Sequence, residues 1–170
     1  VAAGDADAAD LDVTAINLNG GTLLDGAGNV ADRVVASGDL SAGAAVVVDA
    51  DPTIASIAST DGTYIVGQTA AITVTYDEAV TVDTTGGTPT LTLSNGATAT
   101  YATGSGSTGL VFNYVVAAGD PDAADLDVPA INPNGGTLLA GAGNLADTAV
   151  AAGDLSAGAA VVVDADPTIA

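Results

Sequence analysis

Residues 1–55 reappear as residues 116–170 without a gap, with eight positions changed (6, 14, 18, 25, 30, 33, 34 and 37). Repetition of this fidelity makes the chain a stretch of a tandem array, so its repeat must be a unit that folds the same way beside copies of itself. The shift of 115 positions is the size of a whole domain rather than of a solenoid turn. The pattern predicts one complete unit over residues 52–166, preceded in 1–51 by the C-terminal part of an earlier unit and followed in 167–170 by the start of the next. A stretch that starts and stops in mid-pattern implies a longer parent chain, in which any export signal would lie.

Inside the unit, apolar and polar residues alternate. Ile72, Val74 and Tyr76 are interleaved with Thr73 and Thr75, Leu91 and Leu93 with Thr90 and Thr92, and Leu110, Phe112, Tyr114 and Val116 with Val111, Asn113 and Val115. A period of two rich in β-branched residues reads as half-buried strands. Turn residues separate them at Asp61-Gly62, Gly86-Gly87, Asn95-Gly96 and Gly104-Ser105-Gly106. The strands predicted are 53–59, 63–66, 70–76, 79–83, 89–94, 97–103, 109–116, 124–131, 137–139 and 158–164, with a short turn possible in the Ala-rich 145–152. Many short strands in about 115 residues suggest an all-β sandwich. Alternating strand directions predict that the 77–79 turn, the 95–96 turn and the 117–123 loop share the pole where the chain enters at Pro52.

Charge narrows the function. Twenty-one acidic residues, all Asp except Glu78, face one basic residue, Arg33, for a formal net charge of −20. Nucleic acid and anionic membranes are thereby disfavoured as partners, because both are bound through Lys and Arg. No apolar run is long enough to span a bilayer. Disorder is disfavoured too, since 48% of the residues are hydrophobic. Self-repulsion of this size weakens a compact state, and bound Ca²⁺, which takes carboxylate oxygens, is the simplest remedy. The absence of Cys and His removes disulfides, thiolate sites and the usual general base.

Two acidic clusters are candidate Ca²⁺ sites. The first is the loop carrying Asp120, Asp122 and Asp125, repeated as Asp5, Asp7 and Asp10; it lacks the Gly and closing Glu of an EF-hand. The second is the linker Asp49-Ala50-Asp51-Pro52, repeated as Asp164-Ala165-Asp166-Pro167, with Asp77 and Glu78 as expected partners for a cation bridging successive domains. The bland readings are a solvated loop and a polar linker stiffened by Pro. Asp127 is expected to point outward from a strand, and Asp147 and Asp154 to form turns. Outward Thr residues at 73, 75, 81, 90, 92, 98 and 100 read as ordinary strand residues before they read as a ligand face. Paired carboxylates without aromatic platforms make a poor sugar-cleaving site, and Gly135-Gly136 lacks the Lys and helix of a phosphate loop. The chain reads as a non-enzyme.

The strings Val66-Gly67-Gln68-Thr69, Thr73-Val74-Thr75-Tyr76-Asp77-Glu78-Ala79-Val80, Thr90-Leu91-Thr92-Leu93, Asp125-Leu126-Asp127-Val128, Asn134-Gly135-Gly136-Thr137 and Ala142-Gly143-Asn144 resemble the bacterial immunoglobulin-like repeats of giant type 1 secreted adhesins. The resemblance implies an immunoglobulin-like sandwich, an extracellular place at the bacterial cell surface, and a role as calcium-stiffened spacer that holds an adhesive tip away from the cell. It departs in one place: the Asp before Ala-Gly-Asn is present in the first copy as Asp25 and is Ala140 in the second, so a cation site relying on it would be weaker there. Partners would be neighbouring repeats of the same chain or neighbouring subunits, with surface polysaccharide or cell contact left to other domains. The competing readings are a self-assembling filament or surface-layer subunit, completed by strands from neighbouring chains, and a carbohydrate- or cell-binding module.

Overall fold

A computed structural model describes residues 1, 5–36, 38, 40, 45–151, 155 and 160–165. The expectations that fall on Asp154, Asp166 and 167–170 lie outside the described residues. The chain divides into two compact units, Asp5–Ala50 with Val1 and Asp51–Ala170.

The second unit is all-β, with no helix among the described residues. Its strands are β1 (Ile54–Ala58), β2 (Gly62–Ile65), β3 (Thr69–Asp83), β4 (Thr90–Thr92), β5 (Thr98–Thr103), β6 (Ser107–Val115), β7 (Ala130–Asn132), β8 (Thr137–Leu139) and β9 (Val161–Asp164). Antiparallel pairing runs in the order β1-β3-β6-β5-β4-β7, β8 pairs with the far end of β3, and β2 pairs in parallel with β9.

The alternation in the sequence becomes the two faces of these strands. Ala70, Ile72, Val74, Tyr76 and Val80 of β3 are buried, as are Leu110, Phe112 and Tyr114 of β6. Register sets large against small or branched residues: Tyr114 stands opposite Ala70, Phe112 opposite Ile72, and Leu110 opposite Val74. Cross-strand pairs of this kind are the unit of sheet stabilisation. Leu91, Leu126, Val128, Ile131, Leu138, Val161 and Val163 complete one core. The Asn95-Gly96 turn joins β4 to β5 as expected, with Gly96 at φ +84° and Leu93 N donating to Ala97 O.

Three local expectations are corrected. The turn predicted at 77–79 is the middle of one long strand, β3. Asp77 is tolerated there because it faces a partner: its N–H donates to Thr53 O, and its carboxylate accepts Thr53 N–H and Oγ1–H. The pairing with β6 shifts register between Thr75 and Val80, and β3 then turns to β8; a bulge of this kind lets one strand serve two curled sheets. The strand predicted over 124–131 shrinks to β7, since Asp127 is held by a loop rather than by a ladder. The strand predicted over 158–164 is β9, with 158 and 159 outside the described residues.

The first unit holds isolated bridges, and they repeat the second unit's at the 115-residue shift. Ala8 bridges Val48 as Ala123 bridges Val163, and Leu24 bridges Val30 as Leu139 bridges Leu145. Leu11 N donates to Val46 O as Leu126 N donates to Val161 O. Local sequence therefore suffices to reproduce the loop geometry. It does not reproduce the burial, which depends on the rest of the unit.

Candidate functional site: carboxylates at the two poles of the unit

β3 sets the axis of the second unit. At its Thr69 end lie Val115, the turn after β2, and the exit strand β9, because Thr69 pairs with Val115, Gln68 O accepts Val116 N–H, and Ile65 pairs with Asp164. The 117–123 loop and the Asn95-Gly96 turn belong to this C-terminal pole, where Asn95 Nδ2 donates to Pro121 O at 3.2 Å. Toward the middle of β3, Ile54 pairs with Tyr76, Thr53 bonds Asp77, and Asp147 N donates to Pro52 O; this is the N-terminal pole. Thr69 and Tyr76 are seven residues apart, about 23 Å along a strand. The expectation that all three loops share the Pro52 pole is therefore corrected. Asp77 and Glu78 lie at one pole, and Asp120, Asp122, Asp125 and Asp164 belong to the other.

The carboxylates at the C-terminal pole tie the loop to its neighbours. Asp120 Oδ2 accepts the Tyr114 hydroxyl at 2.8 Å and Ala117 N–H at 2.8 Å. Asp122 Oδ1 accepts Ala165 N–H at 2.8 Å, which anchors the end of β9. Asp125 and Asp164 are exposed. Asp127 does not point outward as expected: half-buried, it accepts Leu155 N–H at 3.2 Å and Val128 N–H at 2.9 Å. Tyr114 also accepts a bond from Asn95 Nδ2 at 3.2 Å. Its burial raises the phenol above its ordinary pKa; Asn95 opposes the shift, and Asp120, as acceptor and as charge, adds to it.

The first copy uses the same carboxylates in the same way. Asp7 Oδ1 accepts Ala50 N–H at 2.8 Å, the counterpart of Asp122 and Ala165. Asp12 accepts from Gly38, Leu40 and Val13, and these backbone donors hold it below the usual carboxylate range. Asp5 and Asp10 are exposed. Asp25 accepts Ala27 N–H, Asn29 N–H and Asn29 Nδ2–H, and bonds from Asn29 dominate its lowered pKa. The second copy keeps that turn with Ala140, whose N–H still donates to Asn144 O at 2.8 Å, as Asp25 N–H does to Asn29 O. Asp25 is thus a turn former whose backbone partner survives its loss.

At the linkers, Asp49 is half-buried and Asp51 exposed. At the N-terminal pole Glu78 is half-buried. Burial works to raise Asp77, but the bonds from Thr53 outweigh it and hold the carboxyl below its ordinary value. Among the described residues no three carboxylates gather closely enough to hold a metal ion. Asp120, Asp122 and Asp127 each accept N–H or O–H donors.

Sequence reasoning missed Asn95 and Tyr114, which hold the acidic loop from 26 and 6 residues away in sequence. No local signal marks them, since Asn95 reads as a turn residue and Tyr114 as core. It missed Tyr76 for the same reason. The Tyr76 hydroxyl donates to Asp147 O at 3.0 Å, and burial, with the Asp147 charge adding, pushes its pKa up to about 12. An unfolded tyrosine ionises near pH 10. The folded state therefore binds this proton more tightly, and its contribution to stability is complete below about pH 10 and lost between about 10 and 12. Tyr76→Phe should flatten the fall of stability over that window and cost about 1 kcal/mol at neutral pH. Denaturant melts from pH 7 to 12 provide the check; an unchanged alkaline slope would count against the assignment.

The chain matches no protein-family model, no curated protein and no solved structure.

Proposed function

We propose that the chain is part of the extended, non-catalytic rod of a secreted bacterial adhesin, built from immunoglobulin-like spacer modules of about 115 residues. The observation that carries the reading is polarity: the second unit takes in the chain at the Asp77 pole and releases it after β9 at the Thr69 pole. A module whose ends lie at opposite poles adds its length to a tandem chain, whereas adjacent ends would fold the chain back. Near-identity of the copies suits a spacer, in which every unit has the same task. The immunoglobulin-like topology, the surface location and the adhesin context rest on the sequence resemblance.

Calcium is proposed for the linkers alone, where Asp49 and Asp51, or Asp164 and Asp166, put two carboxylates into a joint with no core of its own, and Asp77 and Glu78 are the added donors the proposal names. Support comes from the resemblance and from the net charge of −20. Binding to the folded state alone raises stability by mass action. Lengthening the chain by whole 115-residue repeats should increase the maximum dimension in small-angle scattering by roughly 25–35 Å per repeat, the span between the poles plus the short linker. Chelator should shorten and broaden the distribution, and millimolar Ca²⁺ should raise the melting temperature more than Mg²⁺ does. Asp51→Ala with Glu78→Ala should abolish the calcium response while leaving each module folded. A dimension that does not grow with repeat number would sink the spacer reading; growth that ignores calcium would sink only the linker sites.

A further inference from the structure

Three asparagines stand directly before glycine: Asn19, Asn95 and Asn134. Such a pair is chemically restless, because a glycine without Cβ lets its amide nitrogen approach the preceding side-chain amide carbon. Two of the three lie in the second unit, and the fold treats them differently. Asn95 is half-buried, and the groups that the attack needs are occupied. Its Oδ1 accepts Ala97 N–H at 3.1 Å, and its Nδ2 donates to the Tyr114 hydroxyl and to Pro121 O at 3.2 Å each. The Gly96 N–H is turned away onto Leu93 O at 2.9 Å. Asn134 is exposed. It sits at φ +53° with Gly135 at φ +85°, in a tight turn closed by Gly136 N–H on Pro133 O at 2.9 Å. That closure skips Gly135, whose N–H has no acceptor among the described residues. Of the Asn134 side chain, Nδ2 is engaged, donating to Thr88 O at 3.2 Å and to Thr90 Oγ1 at 2.7 Å.

We infer that Asn134 is a self-modification site of the module, and that its conversion to a carboxylate unpins the crossing of the Gly86-Gly87 loop over the 134–136 turn. In the step, the Gly135 nitrogen gives its proton to solvent base and bonds to Asn134 Cγ. The Cγ–Nδ2 bond breaks, and Nδ2 takes a proton from water and leaves as ammonia. A water molecule then opens the five-membered imide. Opening at Cγ leaves aspartate; opening at the backbone carbonyl leaves an isoaspartyl link, in which the chain runs through Cβ. One water is consumed and one ammonia released, with no other reactant. Either product removes both Nδ2 donations and sets a carboxylate oxygen against Thr88 O, acceptor against acceptor. The isoaspartyl link also adds a backbone carbon where Asn134 O and Gly135 O already lie too close to Gly87 and Gly86 for a Cβ to fit. The first copy makes the same turn at Asn19-Gly20, with Gly21 N–H on Leu18 O at 2.7 Å, so Asn19 is expected to react as well.

Neither the site nor its consequence rests on the spacer reading. The full 170-residue chain is held in mildly alkaline buffer, and fragment mass spectrometry follows the conversion of each asparagine. While the chain is folded, Asn134 should convert at least roughly 10-fold faster than Asn95, which must wait for local opening. In urea the two should convert alike, since both precede glycine. Asn134→Asp should lower the melting temperature by roughly 5 °C or more through the lost donors. Conversion of Asn95 as fast as Asn134 in the folded chain would overturn the site. A difference that persists in urea would overturn it too, by tracing the selectivity to sequence rather than to the turn. An Asn134→Asp chain that melts with its parent would overturn the unpinning.

Discussion

Gly87→Ala is expected to lower the melting temperature of the module by on the order of 15 °C, far more than an exposed loop substitution normally does. A Cβ on Gly87 would lie 1.9 Å from Asn134 O, and one on the neighbouring Gly86 2.1 Å from Gly135 O. Both contacts are to backbone, so no side chain can swing aside. The loop after β3 would have to part from the Asn134-Gly135-Gly136 turn, taking with it the Asn134 bonds to Thr88 O and Thr90 Oγ1. Overpacking of this severity costs about 3 kcal/mol, and each kcal/mol moves the midpoint of a domain this size by roughly 4–8 °C. Gly106→Ala is the control. It also sits at positive φ, +81°, but its Cβ would meet nothing within 4 Å, so it should cost only the conformational strain of about 1 kcal/mol. Calorimetry giving equal losses for the two would show that the crossing of the loops is not what Gly87 provides.

Phe112→Ala should cost about 3–5 kcal/mol in urea unfolding, enough to leave the module marginal. Phe112 is fully buried in the middle of β6, opposite Ile72 on one side and Tyr101 on the other. It meets the Tyr101 ring edge-on, with centroids 5.7 Å apart and planes at 72°. In a core with a single Phe and no Trp or Met, no flexible side chain stands by to fill the space, and interiors are packed too densely to collapse without loss. The double substitution with Tyr101→Ala should show a coupling of about 0.5–1.5 kcal/mol, the worth of an edge-to-face pair beyond its buried area. Additive losses would mean that the two rings merely share the core.

Much of the candidate site was legible in the sequence as composition and little as geometry. The period-two alternation marked the buried faces of β3, β4 and β6 correctly, because the pleat turns a sequence parity directly into inside and outside. The Asn95-Gly96 turn was readable for an equally local reason: it needs a residue at positive φ, and Gly96 supplies it. What sequence could not decide was which carboxylates stand together. Asp77 looked like a turn and is mid-strand, since Thr53, 24 residues away, satisfies it. The 117–123 loop belongs to the pole opposite Pro52, because β3 runs unbroken past Asp77, and removing one supposed turn reverses the count of strand directions. Asp120 and Asp122 are held by Tyr114 and Ala165, and Gly86-Gly87 are small because another backbone crosses them. Alternation, turn residues and repeat length are properties of neighbouring residues and are written along the chain. Pole, partner and crossing depend on contacts between distant segments, which only the folded sheet brings together.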